Sequence, residues 1–202
     1  MKYFFYLFLF LGLQSCDLNM NDGGPPFYRL NQRNIPENYN EEGKIISFSN
    51  NQNEEIIRFK ITKYWKYEQS SGELFNTDYK YERLWVDVEL LDLTNDPNNF
   101  KLLDISQGYG GEPNRMEINV YLPHFYNNQF RKYTYRFFYP EEELNSMQIN
   151  SNQYNKVVIL NDASDYFAFF DNSTINKVYY DLEFGIVGFD DTINNIKYSL
   201  IN

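Results

Sequence analysis

The stretch Ile56-Ile57-Arg58-Phe59-Lys60-Ile61-Thr62-Lys63-Tyr64-Trp65-Lys66-Tyr67-Glu68 decides the fold class. Apolar residues recur at every second position. Ile57, Phe59, Ile61, Trp65 and Tyr67 fall on one side, and Arg58, Lys60, Thr62 and Lys66 on the other. A period of two belongs to a half-buried antiparallel strand, because successive side chains leave a strand on opposite faces. The same alternation returns at Leu84, Val86, Val88 and Leu90, set against Arg83, Asp87 and Glu89. It returns again at Met116, Ile118, Val120 and Leu122, set against Arg115, Glu117 and Asn119.

Outward from these anchors, the pattern predicts strands over Lys44–Ser49, Glu54–Glu68, Asp78–Leu93, Phe100–Ile105, Arg115–Leu122 and Arg131–Tyr139. Further strands are expected over Met147–Asn150, Lys156–Leu160, Asn176–Phe184, Gly185–Asp190 and Lys197–Ile201. Turn-forming clusters separate them, among them Asn50-Asn51-Gln52-Asn53, Ser70-Ser71-Gly72 and Gly108-Tyr109-Gly110-Gly111. Pro140-Glu141-Glu142-Glu143-Leu144 has the opening chemistry of one short helix, with Pro in the first turn and acids at its positive end. The expectation is an all-β, single antiparallel domain from residue 44 to 202. It takes the form of a curved barrel-like sheet or a β-sandwich, with at most one or two short helices.

The 202-residue chain has a formal charge of −10. An acidic surface repels phosphate backbones, and no dense basic stripe is present, so nucleic acid is not an expected partner. A hydrophobic fraction of 43% is far above that of a disordered chain.

The first sixteen residues read differently from the rest. Met1-Lys2 supplies a positive start, Tyr3 to Leu13 runs eleven residues without a charge, and Leu13-Gln14-Ser15-Cys16 follows at once. These are the parts of a secretory signal, and the apolar run is shorter than the roughly 20 residues a membrane-spanning helix needs. The tetrad Leu13-Gln14-Ser15-Cys16 resembles the lipobox of bacterial lipoproteins. That resemblance implies a signal peptide over 1–15 and a diacylglycerol on the thiol of Cys16, the only cysteine of the chain. It also implies attachment to a membrane through N-terminal lipid. Residues 16–43 are then expected to be the lipidated Cys and a flexible tether, rich in Asn, Gly and Pro. Within that segment Phe27, Tyr28 and Leu30 are placed against the edge of the domain.

The Asn- and Tyr-rich composition resembles that of Bacteroidetes lipoproteins. So does the ending, where Lys177-Val178-Tyr179-Tyr180, Phe184-Gly185-Ile186-Val187-Gly188-Phe189 and Tyr198-Ser199-Leu200 resemble the last hairpin of small outer-membrane lipoproteins of that group. The resemblance implies an outer-membrane location, with the periplasmic or surface face left open. It carries over no catalytic residues.

Candidate chemistry is sparse. His124 is the only histidine, so no His-based metal cluster can form, a Ser-His-Asp triad would need His124 itself, and a surface or packing role is expected for it. The acidic neighbours Glu54/Glu55, Glu141/Glu142/Glu143 and Asp190/Asp191 read as solvated surface, since strand neighbours point apart. Asn161, Asp162, Asp165 and Asp171 offer oxygens but lack the spacing of a calcium loop. Gly108 to Gly111 lacks the Lys-Ser/Thr and the helix of a phosphate loop. No catalytic residue, metal or cofactor is therefore assigned.

The aromatic residues have more reach. There are 19 Tyr, 18 Phe and 2 Trp, more rings than one face of each strand accommodates. Tyr79, Tyr81 and Trp85 share a face opposite Leu84 and Val86 and form the candidate ligand face. The expected role is a non-catalytic β domain that binds or scaffolds an envelope component. The alternative is a carbohydrate- or lipid-binding module that uses this face or a cavity, with a glycan, a lipid or an envelope protein as partner.

Overall fold

The computed structural model describes residues 24–52, 55–73, 76–91, 99–126, 129–161, 175–191 and 195–201. One sheet of twelve strands carries them. In chain order they are β1 (Phe27–Tyr28), β2 (Ile45–Asn50), β3 (Ile56–Glu73), β4 (Asn76–Leu90), β5 (Asn99–Gln107), β6 (Met116–Tyr126), β7 (Gln129–Tyr139), β8 (Asn145–Ile149), β9 (Asn152–Asn161), β10 (Ile175–Asp181), β11 (Gly185–Asp191) and β12 (Ile196–Ile201). Every strand expected from the alternation is present. The short helix is not. Residues 140–142 form a turn, closed by the amide of Glu141 donating to the carbonyl of Phe138 at 3.0 Å. Five residues between two strands are too few to offset helix nucleation.

The spatial order β7-β6-β5-β4-β3-β2-β12-β11-β10-β9-β8 makes the fold a meander whose first and last long strands, β2 and β12, pair with each other. The sheet curls into a half-barrel instead of splitting into a sandwich. Its end strands β7 and β8 follow one another in sequence but share no ladder among the described residues. Side chains bridge that side of the curl. The Tyr135 hydroxyl of β7 donates to the carbonyl of Ile175 on β10 at 2.5 Å, and the Phe137 ring meets the Tyr180 ring edge-on at 5.3 Å.

The concave side holds one core. Phe48, Phe59, Phe100 and Phe189 form its aromatic chain, with ring centroids 5.3 to 6.1 Å apart, and Ile61, Leu84, Val86, Leu103, Ile118 and Val120 surround them. At roughly 1.5–3 kcal/mol for each fully buried side chain of this size, the core supplies the main favourable term.

Two corrections to the sequence reading follow, the first from a bulge. Ile61 opposes Val88 and Lys63 opposes Asp87, so Thr62 is an extra residue in β3. The phase of β3 inverts there. Ile57, Phe59 and Ile61 lie on the same side as Val88, whereas Trp65 and Tyr67 lie on the opposite side, with Trp85 and Arg83. Tyr64, opposite Val86, takes the inner position. A bulge is invisible to a count of alternate residues, because it inserts one residue without changing composition. The second correction concerns the domain edge. β1 pairs in parallel with β4, Tyr28 beside Tyr81, and Leu30, Ile35 and Tyr39 are buried. The described part of the 16–43 segment from Phe27 onward is thus packed domain, not tether.

Tyr39 explains a glycine. Gly185 opens β11 at φ +83°, and a Cβ there would sit 2.3 Å from the Cε2 of Tyr39. Asp181 pins the same corner, accepting from the amides of Glu183 (2.8 Å), Lys156 (3.1 Å) and Phe184 (3.2 Å). Gly43 has φ +84° with nothing within 4 Å of its would-be Cβ. Gly43→Ala therefore incurs backbone strain alone, about 1–2 kcal/mol. Gly185→Ala adds overpacking and is expected to lose about 3–5 kcal/mol. Chemical denaturation of the two variants side by side checks the difference.

Burial pushes the hydroxyls of Tyr39 and Tyr180 far above the ordinary tyrosine value. Both stay protonated in the folded chain while the unfolded chain loses their protons above about pH 10. The folded state then binds more protons than the unfolded state, so stability is level up to about pH 10 and falls as pH rises beyond it. Denaturant midpoints measured from pH 8 to 12 are expected to drop only over the upper half of that range.

Candidate binding face on the outside of the sheet

The bulge at Thr62 has a counterpart on the other side of β4. Leu103 opposes Val86 and Lys101 opposes Asp87, which leaves Leu102 as the extra residue of β5. Leu102 and Leu103 are both buried, and the phase of β5 is reset so that Asp104 faces outward opposite Trp85. The two bulges thus gather Trp65, Tyr67, Arg83, Trp85, Lys101 and Asp104 on the convex face.

The centre of this face is a charge cluster sealed by rings. The Asp104 side chain is 0% exposed. It accepts a two-pronged bond from Arg83, Nε to Oδ1 at 2.6 Å and Nη2 to Oδ2 at 2.5 Å, and a third from Lys101 Nζ at 3.3 Å. The remaining Arg83 prong, Nη1, donates to Gln69 Oε1 at 3.0 Å. A planar guanidinium matches a carboxylate in this way and an ammonium does not. Burial opposes the charge of Arg83, and the hydrogen bond and charge of Asp104 outweigh it, so the guanidinium is held charged. Burial pushes the Lys101 ammonium down, with Asp104 opposing. Burial, aided by the Asp104 charge, pushes the Tyr121 hydroxyl up to about 12.

The rings pack around the cluster. Lys101 Nζ lies 3.6 Å above the Trp85 ring and Lys63 Nζ lies 4.2 Å above that of Trp65, both within cation–π range. Trp65, Tyr67 and Trp85 form a triangle with centroids 5.0, 5.4 and 5.9 Å apart. The row continues up the β3–β4 hairpin through Tyr81 and Tyr79, 5.8 Å apart, to Tyr28 of β1, a further 5.8 Å away. Tyr79, Tyr81 and Trp85 thus lie together on the convex side, half-buried. Trp65 is 41% exposed.

Trp65, Tyr67 and the Arg83–Asp104–Lys101 cluster escape a sequence reading. The signal for the cluster is the doublet Leu102-Leu103, which breaks alternation and betrays a bulge. Among the other candidates, His124 lies in β6 opposite Arg131. Glu141 pairs with Arg115 at 2.8 Å, with Glu142 and Glu143 exposed beside it. Asp190, buried instead of solvated, accepts from the Tyr179 hydroxyl at 2.8 Å. Cys16, Glu54, Asp162, Asp165 and Asp171 lie outside the described residues. Among the described residues no group of three or more His, Cys, Asp or Glu could hold a metal.

Asp104→Asn removes the charge between two cations that remain half-buried. Loss of one partner of a fully buried pair costs about 3–5 kcal/mol, and access of water to Arg83 and Lys101 lowers the expectation to about 2–3 kcal/mol. Urea denaturation followed by the emission of Trp85 and Trp65 measures the loss. Comparison of the chain with protein-family models, with curated proteins and with solved structures finds no match.

Proposed function

We propose that the chain is a lipid-anchored cell-envelope protein of the outer membrane whose β domain binds or scaffolds an envelope component without catalysing a reaction. The observation that carries this reading is the run Leu13-Gln14-Ser15-Cys16 directly after eleven uncharged residues and a positive start. Each buried methylene of an acyl chain contributes about 0.8 kcal/mol, so more than one chain on Cys16 holds a domain of this size durably. No helix among the described residues is long and apolar enough to cross a membrane. A covalent lipid supplies an attachment that needs no such helix.

The convex face favours a second reading within the first. Rings of Trp65, Tyr67 and Trp85 on the side away from the core have no part in filling the half-barrel. They suit a carbohydrate- or lipid-binding module.

Replacement of Cys16 by serine tests the anchor. The wild-type chain is expected to incorporate labelled palmitate and to sediment with membranes. Cys16→Ser is expected to incorporate none and to remain uncut or to appear in the soluble fraction. Unchanged labelling and sedimentation of Cys16→Ser defeats the reading.

A further inference from the structure

We infer that the convex aromatic face is a membrane-contact surface, which lies on the headgroup region of the bilayer that holds the chain. The inference rests on the anchored reading above and deepens it, since the lipid then fixes where the domain is and this face fixes how it lies.

The first observation is the point at which the N-terminal segment joins the domain. The amide of Lys80 donates to the carbonyl of Pro26 at 2.8 Å, and Tyr28 then adds its ring to Tyr79. The chain therefore enters the domain at one end of the aromatic row. Gly24 is eight residues beyond Cys16, an upper reach of roughly 30 Å for fully extended chain. An anchor at Cys16 keeps this edge of the domain, more than any other, near the bilayer.

The second observation is the chemistry of the face. Tyr and Trp have an apolar body and a polar end, and they collect where hydrocarbon meets water. The two tryptophans of the chain, Trp65 and Trp85, are both here. Farther along the outer face, Ile56 on β3 (opposite Ser49) and Ile45 on β2 (opposite Lys60) are 44% and 51% exposed. They are apolar residues on a side that the core does not need.

Charge is the third observation. Around the rings Lys63, Arg83 and Lys101 stand against Asp87 and Asp104, and farther out Arg58, Lys60 and Arg136 stand against Glu89 and Glu117, so cations outnumber anions on these positions in a chain of net charge −10. The exposed Lys63 holds its ammonium over Trp65, where it can pair with lipid phosphates, whereas that of Lys101 over Trp85 is turned to Asp104. A face for neutral sugar needs bare ring planes. Here the ammonium groups of Lys63 and Lys101 each cover one plane of Trp65 and Trp85. These observations favour the anionic headgroup layer as occupant over a glycan.

The test couples the single thiol of the chain beginning at Cys16 to a maleimide lipid in vesicles of phosphatidylethanolamine and phosphatidylglycerol. Attachment then does not depend on whether a cell acylates the chain, so failure here is separate from failure of the anchor. The Trp85→Phe variant leaves Trp65 as the sole reporter. Its emission is expected to shift to the blue on coupling and to lose intensity when the lipids carry brominated acyl chains. Addition of Lys63→Glu and Tyr67→Ser is expected to abolish both changes, with an unaltered far-ultraviolet circular dichroism spectrum of the free chain confirming that the fold is kept. Emission of coupled Trp65 that is the same with plain and brominated lipid overturns the inference. So does a response of Trp65 to soluble dextran with none to vesicles.

Discussion

The curl of the sheet depends on two extra residues set against the same short run of β4. Thr62 in β3 and Leu102 in β5 are both inserted beside Val86 to Val88. A bulge bends its strand and increases the local twist, and two of them facing one strand from either side bend the sheet in one place. Without that bend a meander of this length would stay open or split. With it, β7 comes within reach of β10 through Tyr135 and Phe137, and the concave side closes over the chain of Phe48, Phe59, Phe100 and Phe189. The same insertions reset the phase of both strands. The bend that builds the core and the transfer of Trp65, Tyr67 and Asp104 to the convex face are thus one event.

The strands and the architecture were legible because alternation is written in composition. Leu84, Val86 and Val88 against Arg83, Asp87 and Glu89 leave little choice of face. What could not be read was phase across an insertion. Trp65 and Tyr67 belong by count to the set of Ile57, Phe59 and Ile61, and a single residue moved them. The candidate face was legible in part for the same reason. Tyr79, Tyr81 and Trp85 lie on an uninterrupted stretch of β4, where counting works. Their companions on β3 and β5 lie beyond the bulges, where it fails. The packing of Tyr39 under Gly185 was hidden for another reason. Its segment is rich in Asn and Pro and reads as tether, and only tertiary contact makes Leu30, Ile35 and Tyr39 core.

The Arg83–Asp104–Lys101 cluster is better understood as a device for specificity than as a source of stability. A buried carboxylate loses its hydration, and its attraction to two cations offsets that loss only with good geometry. The geometry is good, with both Asp104 oxygens engaged and Arg83 held by Gln69 as well. An apolar trio of equal volume would be about as stable, yet it would tolerate a slip of β5 along β4. The charged trio does not, because a shift of one residue would turn Asp104 toward Leu84 and Val86 and strand it without a partner. The cluster locks the register at the strand where the β5 bulge makes register ambiguous.

That lock also bears on how so many rings are held on the convex side. Exposed apolar patches promote association unless they are broken up by charge. Here Lys63 lies over Trp65, Lys101 over Trp85 and Arg115 over Phe138, at 4.2, 3.6 and 4.4 Å. Each cation covers one ring plane, and Lys101 and Arg115 are themselves paired, with Asp104 and Glu141. If this face lies on the bilayer, its ring–cation pairs match a layer of anionic groups above hydrocarbon. The pairing of rings with cations around a buried carboxylate would then give the face a chemistry that apolar area alone does not supply.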